Sequence, residues 1–293
     1  MRATLLREIT PEEIYTYEDE GVVWLKQVID PEWAAQIGQN GAFLPKDPQG
    51  STVDFTNLGL AANAPSRIQG FRARSVWVEP ELAWGSSEQL KGTVLTEDVD
   101  LPSDTQRGHY LSVTGVWQAN PFFAELALGS PLPEIAATLT RSAKVNLYDD
   151  QLLIKPPMTL EKTSWHHDLS YDHIDGSKVC GLRVPAHAET IEMGAVRYSR
   201  GSHKTGKLYK VNYFISDNCA LGDSGESYPD LENRAAEFDI VVFRPQPGDV
   251  VVHHLATVHA AGGNLTPDQT RSGITVRYAG DDVGYKFRKW APP

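Results

Sequence analysis

From Val145 onward the sequence offers a succession of short β-branched runs with no helical pattern between them, and this leaves few folds open. Val145–Lys155, Lys178–Val184, Ile191–Arg197, Phe238–Phe243, Asp249–His254 and Ser272–Ala279 are such runs, punctuated by Gly, Pro and Asp. Parallel strands need a long crossover, usually a helix, between them, so strands at this spacing are expected to pair antiparallel. An antiparallel double sheet or barrel is the result. Helical signals come earlier in the chain. Thr10-Pro11-Glu12-Glu13 is a capping box with Pro at the first helical position, and opens a short helix to about Asp19. Gly21–Leu25 reads as a strand, and Asp30-Pro31-Glu32-Trp33 starts a second helix. Asn120-Pro121-Phe122-Phe123 opens a helical stretch, with a Gly-Ser-Pro break near 129–131, that runs to about Thr140. The expected architecture is mainly β, a jelly-roll core buttressed by N-terminal helices.

With 293 residues, the chain suits one large domain over 1–293, with N-terminal helices and loops in 1–140 and the core in 141–293. Residues from about 40 to 110 are rich in Gly, Pro, Ser and Asn and read as long loops with short strands. Loops of that length tend to cover functional sites. The net charge of −11 speaks against nucleic acid, and no apolar run is long enough for a membrane span or a signal peptide. Two cysteines, Cys180 and Cys219, supply neither a disulfide framework nor a thiolate zinc site. A cytoplasmic protein acting on a small molecule is the plain expectation.

The histidines carry the chemistry. In an extended chain residues i and i+2 point to the same side, so His166 and Asp168 can converge on one ion while His167 points away. A second histidine would complete the two-histidine, one-carboxylate set of mononuclear iron(II), which leaves three adjacent positions for a bidentate cosubstrate and dioxygen. His259, 93 residues on (259 − 166), follows the strand ending at His253 and precedes the small run Ala260-Ala261-Gly262-Gly263. Spacing alone leaves rivals: His173 and Asp175 repeat the same H-x-D pattern, in a loop beside Gly176 that suits a capping or turn role, and His253 or His254 could face the same interior. Gly201–Lys207 matches half of a phosphate-binding loop, but Leu208 stands where its hydroxyl residue belongs and no βαβ unit surrounds it, so it reads as a turn.

Four stretches in order resemble the phytanoyl-CoA dioxygenase family of iron(II)/2-oxoglutarate oxygenases. They are Glu12–Val28, Gln151–Pro157 followed by Trp165–Tyr171, Met193–Ala195 followed by Ser199–His203, and Gly248 through His259 to Arg271. Arg200 replaces the family's usual proline. The resemblance implies a double-stranded β-helix, cupin-like core. It implies iron ligation by His166, Asp168 and His259, and chooses His166 over His173 because Trp165 and Tyr171 flank it. It implies that Arg271 binds the distal carboxylate of 2-oxoglutarate, a task suited to a planar, permanently charged fork. Arg277 competes on the same strand face. Gln151 is a second cosubstrate contact on this reading, with a substrate-side or structural role as the alternative, and Lys155 reads as a structural lysine. Ala261 stands where relatives often have a hydroxyl, which Thr275 could supply. Asp168 argues against halogenation, since halogenases of this class have a small residue there.

The implied activity is oxidation, most simply hydroxylation, of an unactivated C–H bond in a small molecule, a secondary-metabolite intermediate among the classes admitted, with succinate and carbon dioxide as coproducts. The alternative is a same-fold metal enzyme that epimerises, cyclises or desaturates, or one that uses no 2-oxoglutarate. Substrate contacts are expected from about 40 to 115 and about 205 to 235, with Trp77, Trp84, Tyr209 and Tyr213 as candidates.

Overall fold

The structure is a computed structural model that describes residues 1–42, 51–56, 108–212, 214–215 and 225–289. Helix α1 (Pro11–Glu20) begins at the capping box: Glu13 N–H donates to Thr10 Oγ1 and Thr10 N–H to the Glu13 carboxylate. Gly21 ends it at φ +74°, where an added Cβ would also collide with His203 and Thr257. The chain turns straight into β1 (Val22–Leu25), then α2 (Glu32–Gly41). The helical stretch expected from Asn120 is two helices, α4 (Pro121–Leu128) and α5 (Leu132–Leu139), split at Gly129-Ser130-Pro131. A one-turn helix, α3 (Val116–Ala119), precedes them.

The remaining strands are β2 (Ser51–Asp54), β3 (Leu111–Thr114), β4 (Asn146–Lys155), β5 (Thr163–His166), β6 (Ile174–Asp175), β7 (Val179–Pro185) and β8 (Val196–Ser199). After them come β9 (Ile240–Val242), β10 (Val250–His254), β11 (His259–Ala261), β12 (Arg271–Ala279) and β13 (Gly284–Tyr285). They build a seven-stranded sheet in the order β1-β10-β7-β12-β4-β3-β2, a four-stranded sheet β5-β11-β8-β9, and the small pair β13-β6. The ladders of both large sheets are antiparallel. The jelly-roll expectation holds.

One expected strand starts late. Ile191–Gly194 forms a turn, closed by Gly194 N–H donating to Ile191 C=O at 2.9 Å. Gly194 has φ +74°, and a Cβ there would lie 2.3 Å from the Gly262 carbonyl oxygen, so the strand begins only at Val196.

The large sheet has two unlike faces. Leu152, Ile154, Leu182, Val184, Val250, Val252, Ile274 and Val276 meet Trp33, Ile37, Phe123, Leu126 and Ile135 of the helices in one buried cluster. The alternate residues, among them Gln151, Gly181, Arg183, His253, Thr275 and Arg277, face the small sheet. Strand periodicity thus keeps apolar residues toward the helices and polar ones between the sheets. Among the described residues no helix is long and apolar enough to cross a membrane.

Candidate metal centre

His166 ends β5 and His259 begins β11, and these two residues face each other directly in the antiparallel ladder. That register brings together histidines 93 positions apart, with ring centroids 4.2 Å from each other. Beyond His166 the chain stays extended through His167 (φ −125°, ψ 144°) and then tightens into a 3₁₀ turn at Asp168–Tyr171. Alternation therefore sends His167 away, where its Nε2 meets Ser170 Oγ and the Tyr209 N–H. Asp168 returns to the side of His166. The ligand atoms of His166, Asp168 and His259 all lie within 4.8 Å of one another.

The hydrogen bonds leave the right atoms free. His166 Nδ1 lies 2.8 Å from the Ser164 carbonyl oxygen and His259 Nδ1 lies 2.9 Å from that of Thr257. A carbonyl can only accept, so each Nδ1 carries the proton and each Nε2 presents a lone pair. Asp168 Oδ1 faces those nitrogens at 3.7 and 3.9 Å. Its Oδ2 takes hydrogen bonds from His253 Nε2 at 3.2 Å and Arg277 Nε at 3.1 Å. Burial lowers the pKa of His166, and burial with the neighbouring His166 holds His259 well below the usual histidine range. Burial alone would raise Asp168, but Arg277 and then His253 outweigh it and keep the carboxyl well below its ordinary value. Two neutral imidazoles and one carboxylate in this arrangement suit a divalent transition metal such as iron(II).

Two cavities flank the centre and share Gln151, His166, Asp168, Phe214 and Arg277 as walls. The first is also lined by Arg271, Arg183, Tyr198, Thr163 and Thr275. Arg271 is 3% exposed, and neither its Nε nor its Nη2 has a hydrogen-bond partner among the described residues. Its nearest anion is Glu189, whose Oε1 lies 3.5 Å from Nε. Glu189 is claimed in turn by a short ion pair with Arg183. Two guanidinium groups thus surround one carboxylate, and burial lowers the Arg271 pKa in spite of Glu189. Unpaired buried donors are costly, and these two leave the cavity with donors to offer a further anionic acceptor.

The second cavity is lined by Val53, Phe55, Ser112, Thr114, Asp149, Tyr171 and Asp172 together with the shared walls. Phe214 packs edge-on against His166 at 4.8 Å and stacks on Phe55 at 5.3 Å. It does so at φ +64°, a backbone conformation that is rare for a bulky side chain.

Other expected residues take definite places. Gln151 lines both cavities, but its amide is engaged within the protein: Nε2 donates to Ser112 Oγ at 2.9 Å and Oε1 accepts from Arg277 Nη2 at 3.1 Å. Lys155 Nζ donates to the carbonyls of Glu161 and Gly262 at 2.9 and 2.7 Å, a structural role. His173 accepts the Arg288 N–H and stacks on Phe287 in the small β6–β13 unit. Tyr209 stacks on Tyr228 at 4.6 Å. Trp77, Trp84 and Tyr213 lie outside the described residues. Sequence reasoning passed over Arg183 and Glu189, although a charge inside the apolar run Val179–Pro185 signals a buried partner.

The family model for phytanoyl-CoA dioxygenase matches residues 17–273. No curated protein sequence matches the chain. Among solved structures, the α-ketoglutarate-dependent carbocyclase SnoK from nogalamycin biosynthesis is similar at 20% identity and TM-score 0.61, covering 98% of this chain and 90% of its own. The epimerase SnoN, in complex with Fe3+, α-ketoglutarate and nogalamycin RO, is similar at 18% identity and TM-score 0.60, covering 95% and 86%. EctD from S. alaskensis, with 2-oxoglutarate and 5-hydroxyectoine, is similar at 16% identity and TM-score 0.57, covering 96% and 81%.

Proposed function

The chain belongs to the phytanoyl-CoA dioxygenase family, and we propose that it oxidises an unactivated C–H bond of a small molecule, most simply by hydroxylation, with iron(II), 2-oxoglutarate and dioxygen. The observation that carries this reading is the meeting of His166 Nε2, His259 Nε2 and Asp168 Oδ1 beside a buried arginine with unspent donors. His166, Asp168 and His259 would hold the metal, which when bound supplies the oxygen-activating chemistry that protein side chains lack. Arg271 takes the distal carboxylate of 2-oxoglutarate in a bidentate grip, and Thr275 offers the hydroxyl that Ala261 does not. Burial keeps both imidazoles neutral, so their lone pairs are available at neutral pH. The substrate occupies the second cavity, where Phe55, Tyr171 and Phe214 exclude water and press its C–H bond toward the centre. Asp168 fills the position that a halide would need, which favours oxygen chemistry over halogenation.

A carbocyclase and an epimerase among the similar folds support a second reading, hydrogen removal from the substrate without oxygen transfer. The two differ in the product: hydroxylation under ¹⁸O₂ places one labelled oxygen in it, and epimerisation or cyclisation places none. The class itself is tested by supplying iron(II), 2-oxoglutarate and air. The wild type is expected to release succinate, and His166→Ala and His259→Ala to release none. Succinate formation that survives both substitutions would refute the assignment.

A further inference from the structure

The second oxygen of Asp168 is held by a row of three residues on three adjacent strands. His253 on β10 pairs with Gly181 on β7, and Gly181 pairs with Arg277 on β12. Directly opposed residues in a ladder sit about 5 Å apart, so His253 and Arg277 stand roughly 10 Å apart across the row. A side chain in the middle would normally fill that gap. Here there is none, and both outer residues lean inward to the same atom: His253 Nε2 lies 3.2 Å and Arg277 Nε 3.1 Å from Asp168 Oδ2.

The middle position has a steric reason to be empty. A Cβ on Gly181 would stand 2.7 Å from His253 Cε1 and 2.9 Å from its Nε2. Gly181 is not among the glycines with positive φ, so its backbone suits any residue and space alone calls for glycine. His253 is 2% exposed and its Nδ1 has no hydrogen-bond partner among the described residues, which places the ring proton on Nε2, facing Asp168. Arg277 is anchored at its other end, with Nη2 on Gln151 Oε1 at 3.1 Å and Nη1 toward Asp149 Oδ2 at 3.5 Å.

We propose that His253 and Arg277 are positioning residues that restrict Asp168 to metal binding through Oδ1 alone, with Gly181 as the vacancy that lets them reach Oδ2. The inference rests on the ligand set proposed above. A carboxylate can bind a metal through one oxygen or both. With Oδ2 tied to two donors, Asp168 is kept from turning to chelate and from closing a position that cosubstrate or dioxygen needs. Arg277 is by the same geometry withdrawn from cosubstrate binding.

The test is a titration of the full-length protein with Mn(II), reading free and bound ion by electron paramagnetic resonance, with no turnover required. Gly181→Ala deletes no polar group and crowds His253 first, with the Thr275 methyl next at 3.2 Å, while Arg277→Gln removes one donor. Both are expected to weaken Mn(II) about 10- to 100-fold, the usual cost of losing a support behind a metal ligand. The bound-ion spectrum should change shape as Asp168 adds its second oxygen, while circular dichroism of the metal-free protein keeps its native form. Asp149→Asn, which touches only the far end of Arg277, should stay within about threefold of wild type on this account. If Gly181→Ala does not fold, His253→Gln, smaller and lacking the ring, carries the same expectation. Native-like variants that bind Mn(II) as wild type does, with an unchanged spectrum, would overturn the row while leaving the triad intact. Wild-type binding that His166→Ala fails to abolish would overturn the triad, and the row with it.

Discussion

Arg271 and Arg277 lie on one face of one strand, six positions apart (277 − 271), and both are nearly out of solvent at 3% and 8% exposed. At about 3.3 Å per residue they stand roughly 20 Å apart along β12, one at each end of the site. Their surroundings are opposite. Arg277 has Asp168, Asp149 and Gln151 on its nitrogens. Burial would depress its pKa, but Asp168, Asp149 and Asp172 outweigh it and the net shift is upward. Arg271 shares a single glutamate with Arg183, burial prevails, and its pKa falls. Arg277, its donors spent, is part of the frame, and Arg271, buried with two donors unpartnered among the described residues, fits the receptor role proposed for it. The sequence shows the same residue type twice on one strand face, and only the neighbours separate the roles.

The contrast breaks most visibly at Arg271. Arg271→Ala should raise the dissociation constant for 2-oxoglutarate roughly 100- to 1,000-fold, the loss of two charge-assisted hydrogen bonds, and leave Mn(II) binding near wild type. Isothermal titration of each ligand reads both values. A smaller change is expected at Arg183. Without it the Glu189 carboxylate is left to Arg271, whose donors are then occupied, so Arg183→Gln should weaken 2-oxoglutarate by about tenfold. An unchanged affinity would mean that Glu189 does not compete for Arg271. Thr275→Val should cost about fivefold if its hydroxyl serves the cosubstrate.

The smallest effect is one of pH at the other end of the strand. Burial pushes the Asp172 carboxyl up to about 8, despite Arg277 nearby. The unfolded chain ionises this group near pH 4, so the folded state loses stability as pH climbs from about 4 to about 8. Asp172→Asn in the metal-free protein should therefore raise the thermal midpoint at pH 8.5 and have little effect at pH 4. Equal midpoints at both values would show that Asp172 is solvated and ordinary.

How far the sequence could be read follows from the length of each signal. The capping box at Thr10, the long runs around β4, β7, β10 and β12, and the break near Pro131 all stand in the structure within a few residues. The strands that carry the histidines were not visible as strands. Thr163–His166 and His259–Ala261 are only four and three residues long, too short for a periodic pattern. The signals for the candidate triad are residue type, alternation and family resemblance, and the His166–His259 register supplies the reason these residues meet. Ile191–Gly194 has the composition of a strand, yet the close approach of Gly194 to Gly262 makes it a turn. The His253–Gly181–Arg277 row could not have been read at all, because it depends on which strands lie side by side.

The central claim is that one arginine receives the cosubstrate while the other steadies the metal ligand. Its most direct test is an anaerobic titration that follows the weak visible band formed when iron(II) and 2-oxoglutarate bind together. For Arg271→Ala the account predicts a normal midpoint in iron and a 2-oxoglutarate midpoint raised at least about 100-fold, and for Arg277→Gln a raised iron midpoint with 2-oxoglutarate near wild type once iron saturates. The reverse pattern, with Arg277→Gln losing 2-oxoglutarate and Arg271→Ala keeping it, would contradict the account.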